Sequence, residues 1–288
     1  MDRNMPGTKL ILLEGIPGSG KSTAAAYLQN ILETAGLPVR FWREGDFDNP
    51  ADFEGIACLN TSQYRKLIAH HSGLARLLEE QLTVRGDDHL IKYRKLQSLY
   101  PKQIPSRLIV ELSGYDVYDG LPMQDYCRLA LQCWQDFQAS AARSDEITIL
   151  ECCFLQNPLT VMLARHNADP DWAREQVRNI SRIVEPLMPL VLYLKPREVR
   201  TALLHACEQR PREWADFVTW YLTGQAYGQA HHLQGYEGVI QFYEMRQALE
   251  MDLLHGLPTR SLVIEHTGTE WDDCYREIMA FVSPYLQA

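Results

Sequence analysis

The chain has 288 residues, 46% of them hydrophobic and 23% charged, with a formal net charge of −9. These proportions describe a globular protein able to bury a sizeable core, and the acidic balance argues against a broad nucleic-acid surface. No run is apolar enough to cross a membrane, residues 1–9 lack the order of a signal peptide, and seven cysteines without zinc-ligand spacing fit reduced thiols in the cytoplasm.

The first element, Leu10-Ile11-Leu12-Leu13-Glu14, reads as a buried strand that runs into a glycine-rich loop and the first turn of a helix. Gly15, Gly20, Lys21 and Ser22 satisfy the G-x-x-x-x-G-K-[ST] spacing of a P-loop. Glycines let main-chain N–H groups approach phosphate oxygens without a Cβ in the way. The helix that follows aims its positive end at the same place. Gly15, Ile16, Pro17, Gly18, Ser19, Gly20, Lys21, Ser22 and Thr23 are therefore the expected nucleotide-binding residues, with Lys21 reaching the β- and γ-phosphates and Ser22 joining a Mg²⁺ shell. The competing reading, a plain strand-to-helix turn, needs neither Lys21 nor three glycines.

A helix is expected from about Ser22 to Ala35, ended by Gly36 and Pro38, with a second strand over Val39 to Glu44. Tyr64, Leu67, Ile68, His71, Leu74, Leu78 and Leu82 repeat at helical spacing over 62–82. Residues 83–106 are polar and broken, read as a helical excursion with loops, and Leu108 to Leu112 is ambiguous between strand and helix. An amphipathic helix follows around Tyr126 to Phe137. Strands are expected at Ile147–Glu151, Leu190–Leu194 and Ser261–Glu265, with helices around 172–184, 199–207, 212–255 (two of them) and 271–282. The apolar runs without alternation suit parallel strands covered on both faces. The expected fold is one three-layer α/β/α P-loop NTPase domain over residues 1–288. It has a five-stranded parallel sheet, a helical insertion at about 52–145 and a lid at about 197–235.

In an open parallel sheet, ligands sit beyond the carboxyl ends of the strands. Glu44 and Asp46 follow the second strand; either carboxylate can take a proton from an attacking hydroxyl, and the sequence leaves the choice open against a turn built by Gly, Asp, Asn and Pro. Glu151 ends the third strand, where an acid can order water on Mg²⁺, with Gln156 and Asn157 as acceptor contacts. Arg197, Arg200, Arg210 and Arg212 flank or lie on the helix after the fourth strand; Arg210 and Arg212, straddling Pro211, are best placed to stabilise γ-phosphate charge. Asp87-Asp88-His89 has the make-up of a metal triad but, after Gly86 in a polar break, reads as a turn, and His70-His71 and His231-His232 read as surface or packing residues. Trp214, Phe217, Trp220, Tyr221 and Tyr227 recur at core spacing, with stacking on a planar acceptor as the alternative.

Glu14 to Thr23 resembles the opening of thymidylate kinases and deoxynucleoside kinases, and Arg43-Glu44 is similar to their Arg-Glu-Pro segment. Gly45 stands where that family commonly has proline, and Cys152-Cys153 follows Glu151 in place of Arg-Ser or Asp-Arg. The resemblance implies ATP with Mg²⁺, phosphoryl transfer to a nucleoside, nucleotide or other small hydroxyl compound, and a loop at His266–Glu270 near the adenine. The expected function is thus an ATP-dependent small-molecule kinase. Lys21, Glu44, Asp46, Glu151, Arg210 and Arg212 would be its catalytic candidates, and Ser22 and Glu151 its metal ligands. A small-molecule acceptor is the expected partner, with no membrane or nucleic-acid partner and a homodimer left open. The alternative is a nucleotide-dependent ATPase or switch acting through a protein partner; a nucleic-acid-end kinase is a weaker third reading. Asn-Lys-x-Asp, the guanine signature, is absent from the sequence.

Overall fold

A computed structural model describes residues 7–286; the first six residues of the segment read for a leader lie outside them. The chain divides into two compact units, Met1–Glu44 with Leu131–Ala288, and Gly45–Ala130. The described residues hold eight strands: β1 Leu10–Glu14, β2 Val39–Trp42, β3 Ala57–Leu59, β4 Leu82–Arg85, β5 Asp88–Ile91, β6 Ile147–Glu151, β7 Leu190–Pro196 and β8 Arg260–His266.

The larger unit is an α/β structure built on a five-stranded sheet in the order β2-β6-β1-β7-β8, parallel throughout. These are the five strands expected from the apolar runs. β1 and β6 are buried at every position, which a strand flanked by helices requires. On one face Ile11, Leu13, Ile149, Leu192 and Leu194 pack against Ala24, Leu28 and Leu32 of helix Lys21–Thr34 and Cys274, Ile278 and Val282 of helix Trp271–Val282. On the opposite face Tyr193 of β7 donates a hydrogen bond to Glu250 of helix Gly235–Gly256. Helices thus flank both sides, an arrangement compatible with three layers.

Local chemistry sets the helix ends. Helix Lys21–Thr34 closes where Gly36 N–H donates to Glu33 and Leu37 N–H to Leu32, after which Pro38 prevents continuation. Helix Pro170–Val184 opens with proline in its first turn behind Asp169, whose carboxylate accepts from the Asp171 amide. Register brings the strand ends level. Leu13 lies beside Glu151 and Glu14 beside Tyr193, so the carboxyl ends of β1, β6 and β7 open at one height.

The smaller unit departs from the helical insertion expected over 52–145. It contains an antiparallel sheet in the order β3-β5-β4, with β4 and β5 joined by a tight turn at Gly86-Asp87. The polar stretch read as a helical excursion hides this hairpin because its strands are four residues each; the Gly-Asp dipeptide between them is a hairpin turn signal. The helical period over 62–82 is carried by two helices, Thr61–His70 and Ala75–Glu80. They are split where His71 leaves helical geometry at φ −121 and ψ 40. The ambiguous 108–112 segment is helical, within Ser106–Ser113: Leu108, Ile109 and Leu112 are buried while Val110 is 71% exposed, a pattern of period near 3.6. The boundary between the units falls within helix Met123–Ala141. Among the described residues no helix is long and apolar enough to cross a membrane.

Leu192 lies fully buried on β7, an interior strand of the sheet, and belongs to its apolar cluster. Leu192→Ala should therefore cost about 2–5 kcal/mol of stability, the range for a leucine truncated in a well-packed core, read as a lowered denaturant midpoint with an unchanged slope.

Candidate functional site

The candidate site lies in the larger unit, at the carboxyl end of its sheet. The loop from Gly15 to Gly20 leaves β1 and enters helix Lys21–Thr34. Two glycines show why the loop cannot be built otherwise. A Cβ on Gly15 (φ +141) would stand 2.5 Å from the Leu194 carbonyl oxygen, and one on Gly20 (φ +83) 2.0 Å from the Trp271 ring. Both conformations are closed to ordinary side chains, so the main chain packs where a side chain would have been. Lys21, 4% exposed, donates from Nζ to the Gly15 oxygen at 3.1 Å and the Ile16 oxygen at 3.0 Å. Ser22 and Thr23 are exposed at the start of the helix.

Glu151, at the end of β6, accepts the Ser22 hydroxyl at 2.6 Å through Oε1, and its Oε2 lies 3.4 Å from the Glu44 amide. Glu44, two residues beyond β2, accepts the Gln156 amide at 2.8 Å and sits 3.6 Å from Arg210. Arg210 in turn lies over the Trp214 ring, 4.5 Å from its centroid. Ligand atoms of Glu44, Glu151 and Cys152 all fall within 4.8 Å of one another. Two carboxylates and the Ser22 hydroxyl supply hard oxygen donors of the kind a Mg²⁺ ion takes. The Cys152 thiol is a poor addition to that set. Burial, and after it the Glu44 charge, pushes its pKa well above the ordinary value, so it keeps its proton.

The residues singled out in the sequence divide clearly. Ser22, Glu44, Glu151, Gln156 and Arg210 form one run of contacts, and Lys21, next to Ser22 in the chain, keeps its ammonium on the loop carbonyls. Asp46 belongs to the smaller unit and accepts the Asp48 amide at 2.9 Å in a local turn, the alternative weighed for it. Arg212, expected over the γ-phosphate, is instead 91% exposed on the first turn of helix Arg212–Gly224 and pairs with Asp216 one turn on at 3.7 Å. Arg197 pairs with Glu265 and Arg200 makes a two-pronged contact with Glu237. Of the aromatics expected in the core, Tyr221 is buried, but Phe217 and Trp220 are 52% and 57% exposed. In the smaller unit, Asp87 lies in the β4–β5 turn and accepts the Thr61 amide, whereas Asp88, paired with Arg128, and His89, stacked on Tyr64, belong to strand β5 and not to the expected turn.

Beneath the loop is a charged group that the pattern reading passed over. Glu14 is fully buried; its carboxylate accepts the Phe154 amide at 2.8 Å and the Gln156 amide at 2.9 Å, tying β1 to the segment after β6. Arg246, 1% exposed, places Nε 3.0 Å from Glu250, donates from Nη1 to Thr160 at 2.7 Å, holds Nη2 3.5 Å from the Gly15 oxygen and lies over the Tyr243 ring. Thr160 begins a π-helical turn, Thr160–Arg165. The available signal was positional. Val239, Phe242, Tyr243, Arg246, Leu249, Glu250 and Leu253 fall on one buried stripe of helix Gly235–Gly256, so Arg246 and Glu250 are charges four residues apart on an apolar face.

No protein-family model matches this sequence, and no curated protein matches it. The geometry of the site therefore carries the functional reading.

Burial raises the Glu14 pKa from 4.5 to about 7; the Gln156 and Phe154 amides pull it down and the Glu250 charge pushes it up. The folded chain thus holds a proton on Glu14 at pH values where the unfolded chain has lost it. Its contribution to stability is complete below pH 4.5 and falls away as pH rises through about 7. Stability measured by denaturant titration should lose part of this decline in Glu14→Gln; identical pH profiles for variant and wild type would contradict it.

Proposed function

We propose that the chain is an ATP- and Mg²⁺-dependent phosphotransferase that moves the γ-phosphate to a small hydroxyl or phosphate acceptor. What carries the reading is that Ser22, Glu151 and Glu44 come together at one end of a parallel sheet, beside a buried Lys21 and a loop whose Gly15 and Gly20 admit no side chain. A turn that only joined a strand to a helix would not need a buried lysine at its mouth.

On this reading the loop amides and the amino end of helix Lys21–Thr34 cradle the β- and γ-phosphates. Lys21 exchanges the Gly15 and Ile16 carbonyls for phosphate oxygens. Ser22 and Glu151 would hold a Mg²⁺ ion, which when bound would supply charge neutralisation for the phosphoryl group in transfer. Glu44 accepts the proton of the acceptor hydroxyl as its oxygen bonds to phosphorus and the bond to the ADP oxygen breaks. Gln156 holds the Glu44 carboxylate from one side. Arg210, 3.6 Å from Glu44, reaches the γ-oxygens from the other side and offsets the charge spread over them. The resemblance to nucleoside and nucleotide kinases makes those compounds the first acceptors to try.

Calorimetry with Mg-ATP should detect binding, and a screen of nucleosides, nucleotides and aminoglycosides with γ-labelled ATP should find a labelled product. Lys21→Ala should lower turnover by ~10²–10³, the scale for losing one preorganised charge-stabilising donor. Near-normal transfer by that variant, or no heat from ATP or GTP at millimolar concentration, would overturn the mechanism. ATP hydrolysis without any labelled acceptor would favour a nucleotide-driven switch instead.

A further inference from the structure

We propose that Arg246 is a positioning residue for nucleotide binding: it takes over the Gly15 carbonyl when Lys21 turns from that oxygen to the phosphates. The inference rests on the phosphotransferase reading and adds a second cation to the loop, one that works from beneath it.

The Gly15 oxygen has two cationic neighbours. Lys21 Nζ donates to it at 3.1 Å, while Arg246 Nη2 stands at 3.5 Å, the outer edge of hydrogen bonding. Gly15 is buried, so its carbonyl cannot turn to water when the ammonium leaves. A buried carbonyl without a donor is costly, and that cost would weigh against the nucleotide-bound state. Arg246 is the donor already in place. Its guanidinium is held by Glu250 at 3.0 Å, Thr160 at 2.7 Å and the Tyr243 face, which leaves Nη2 for the loop. Glu250 also accepts the Tyr193 hydroxyl from β7, so the arginine's own anchor is fixed to the sheet.

A guanidinium is needed here and an ammonium would not serve. Nη1 donates to Thr160 and Nη2 stands at Gly15, two directions from one rigid plane, while Nε keeps an ion pair with Glu250 at 3.0 Å. A lysine can keep the charge opposite Glu250 but cannot keep all three contacts. Arg246→Lys therefore separates the positioning role from the simple neutralisation of Glu250. Arg246 touches neither nucleotide nor acceptor on this reading, so its effect must pass through Gly15 and depend on whether Lys21 is there to leave.

The test is a double-mutant cycle read by Mg-ATP calorimetry on wild type, Lys21→Met, Arg246→Lys and the double variant, with a thermal melt of each without nucleotide. Arg246→Lys should weaken ATP binding by about tenfold to a hundredfold, the scale for a hydrogen bond from a charged group. In the Lys21→Met background the same change should weaken binding by much less, because no ammonium then vacates the carbonyl. If Arg246→Lys does not fold, Arg246→Gln with Glu250→Gln removes both charges together and replaces it in the cycle. A lowered melting point with unchanged ATP affinity would show a structural role alone and overturn the proposal. So would fold-changes that multiply independently across the cycle. Failure of wild type to bind ATP would remove the phosphotransferase reading and this one with it, whereas failure here alone appears only in the variants.

Discussion

A buried ammonium must be surrounded by oxygen, and Lys21 finds two oxygens on the loop that precedes it. That contact closes the loop over its own lysine. Most of the larger unit can be seen as support for this arrangement. The sheet sets the height at which β1 ends, the helix after the loop supplies its positive pole, and Arg246 lies behind the loop 3.5 Å from the Gly15 oxygen.

The support is electrostatic as much as apolar. Glu14, Arg246, Glu250 and Tyr193 lie almost wholly out of water, where charges are expensive unless partnered, and each has a partner. Replacing such a group with well-packed hydrocarbon often stabilises a protein, so its presence is weak evidence for stability. Its placement is more informative. Glu14 grips the amides of Phe154 and Gln156, and Gln156 grips Glu44. The end of β1, where the glycine-rich loop begins, and the Glu44 carboxylate are thus linked by two side chains.

The sequence reading was strongest where a single local rule decides the structure. The five strands expected along the chain are the five parallel strands of the sheet, and the spacing of Gly15, Gly20, Lys21 and Ser22 located the loop. It was weakest where the outcome depends on what lies across space. Glu44 and Asp46 look alike in the chain; only the neighbouring Glu151 and Gln156 distinguish them. Arg210 and Arg212 straddle one proline, yet only Arg210 reaches Glu44, because Arg212 starts a helix and pairs one turn along it. Helical spacing suggested that Phe217 and Trp220 were buried, but periodicity gives a face and not what covers it. The β4–β5 hairpin was missed because strands of four residues carry little pattern.

The close approach of Trp271 to Gly20 has a practical side. An indole is sensitive to the polarity and rigidity of its surroundings, and this one leans on the joint between the loop and its helix. Any rearrangement of that joint changes the ring's environment. The protein therefore carries a light-emitting gauge at the point where its main chain would meet a ligand, with no label attached.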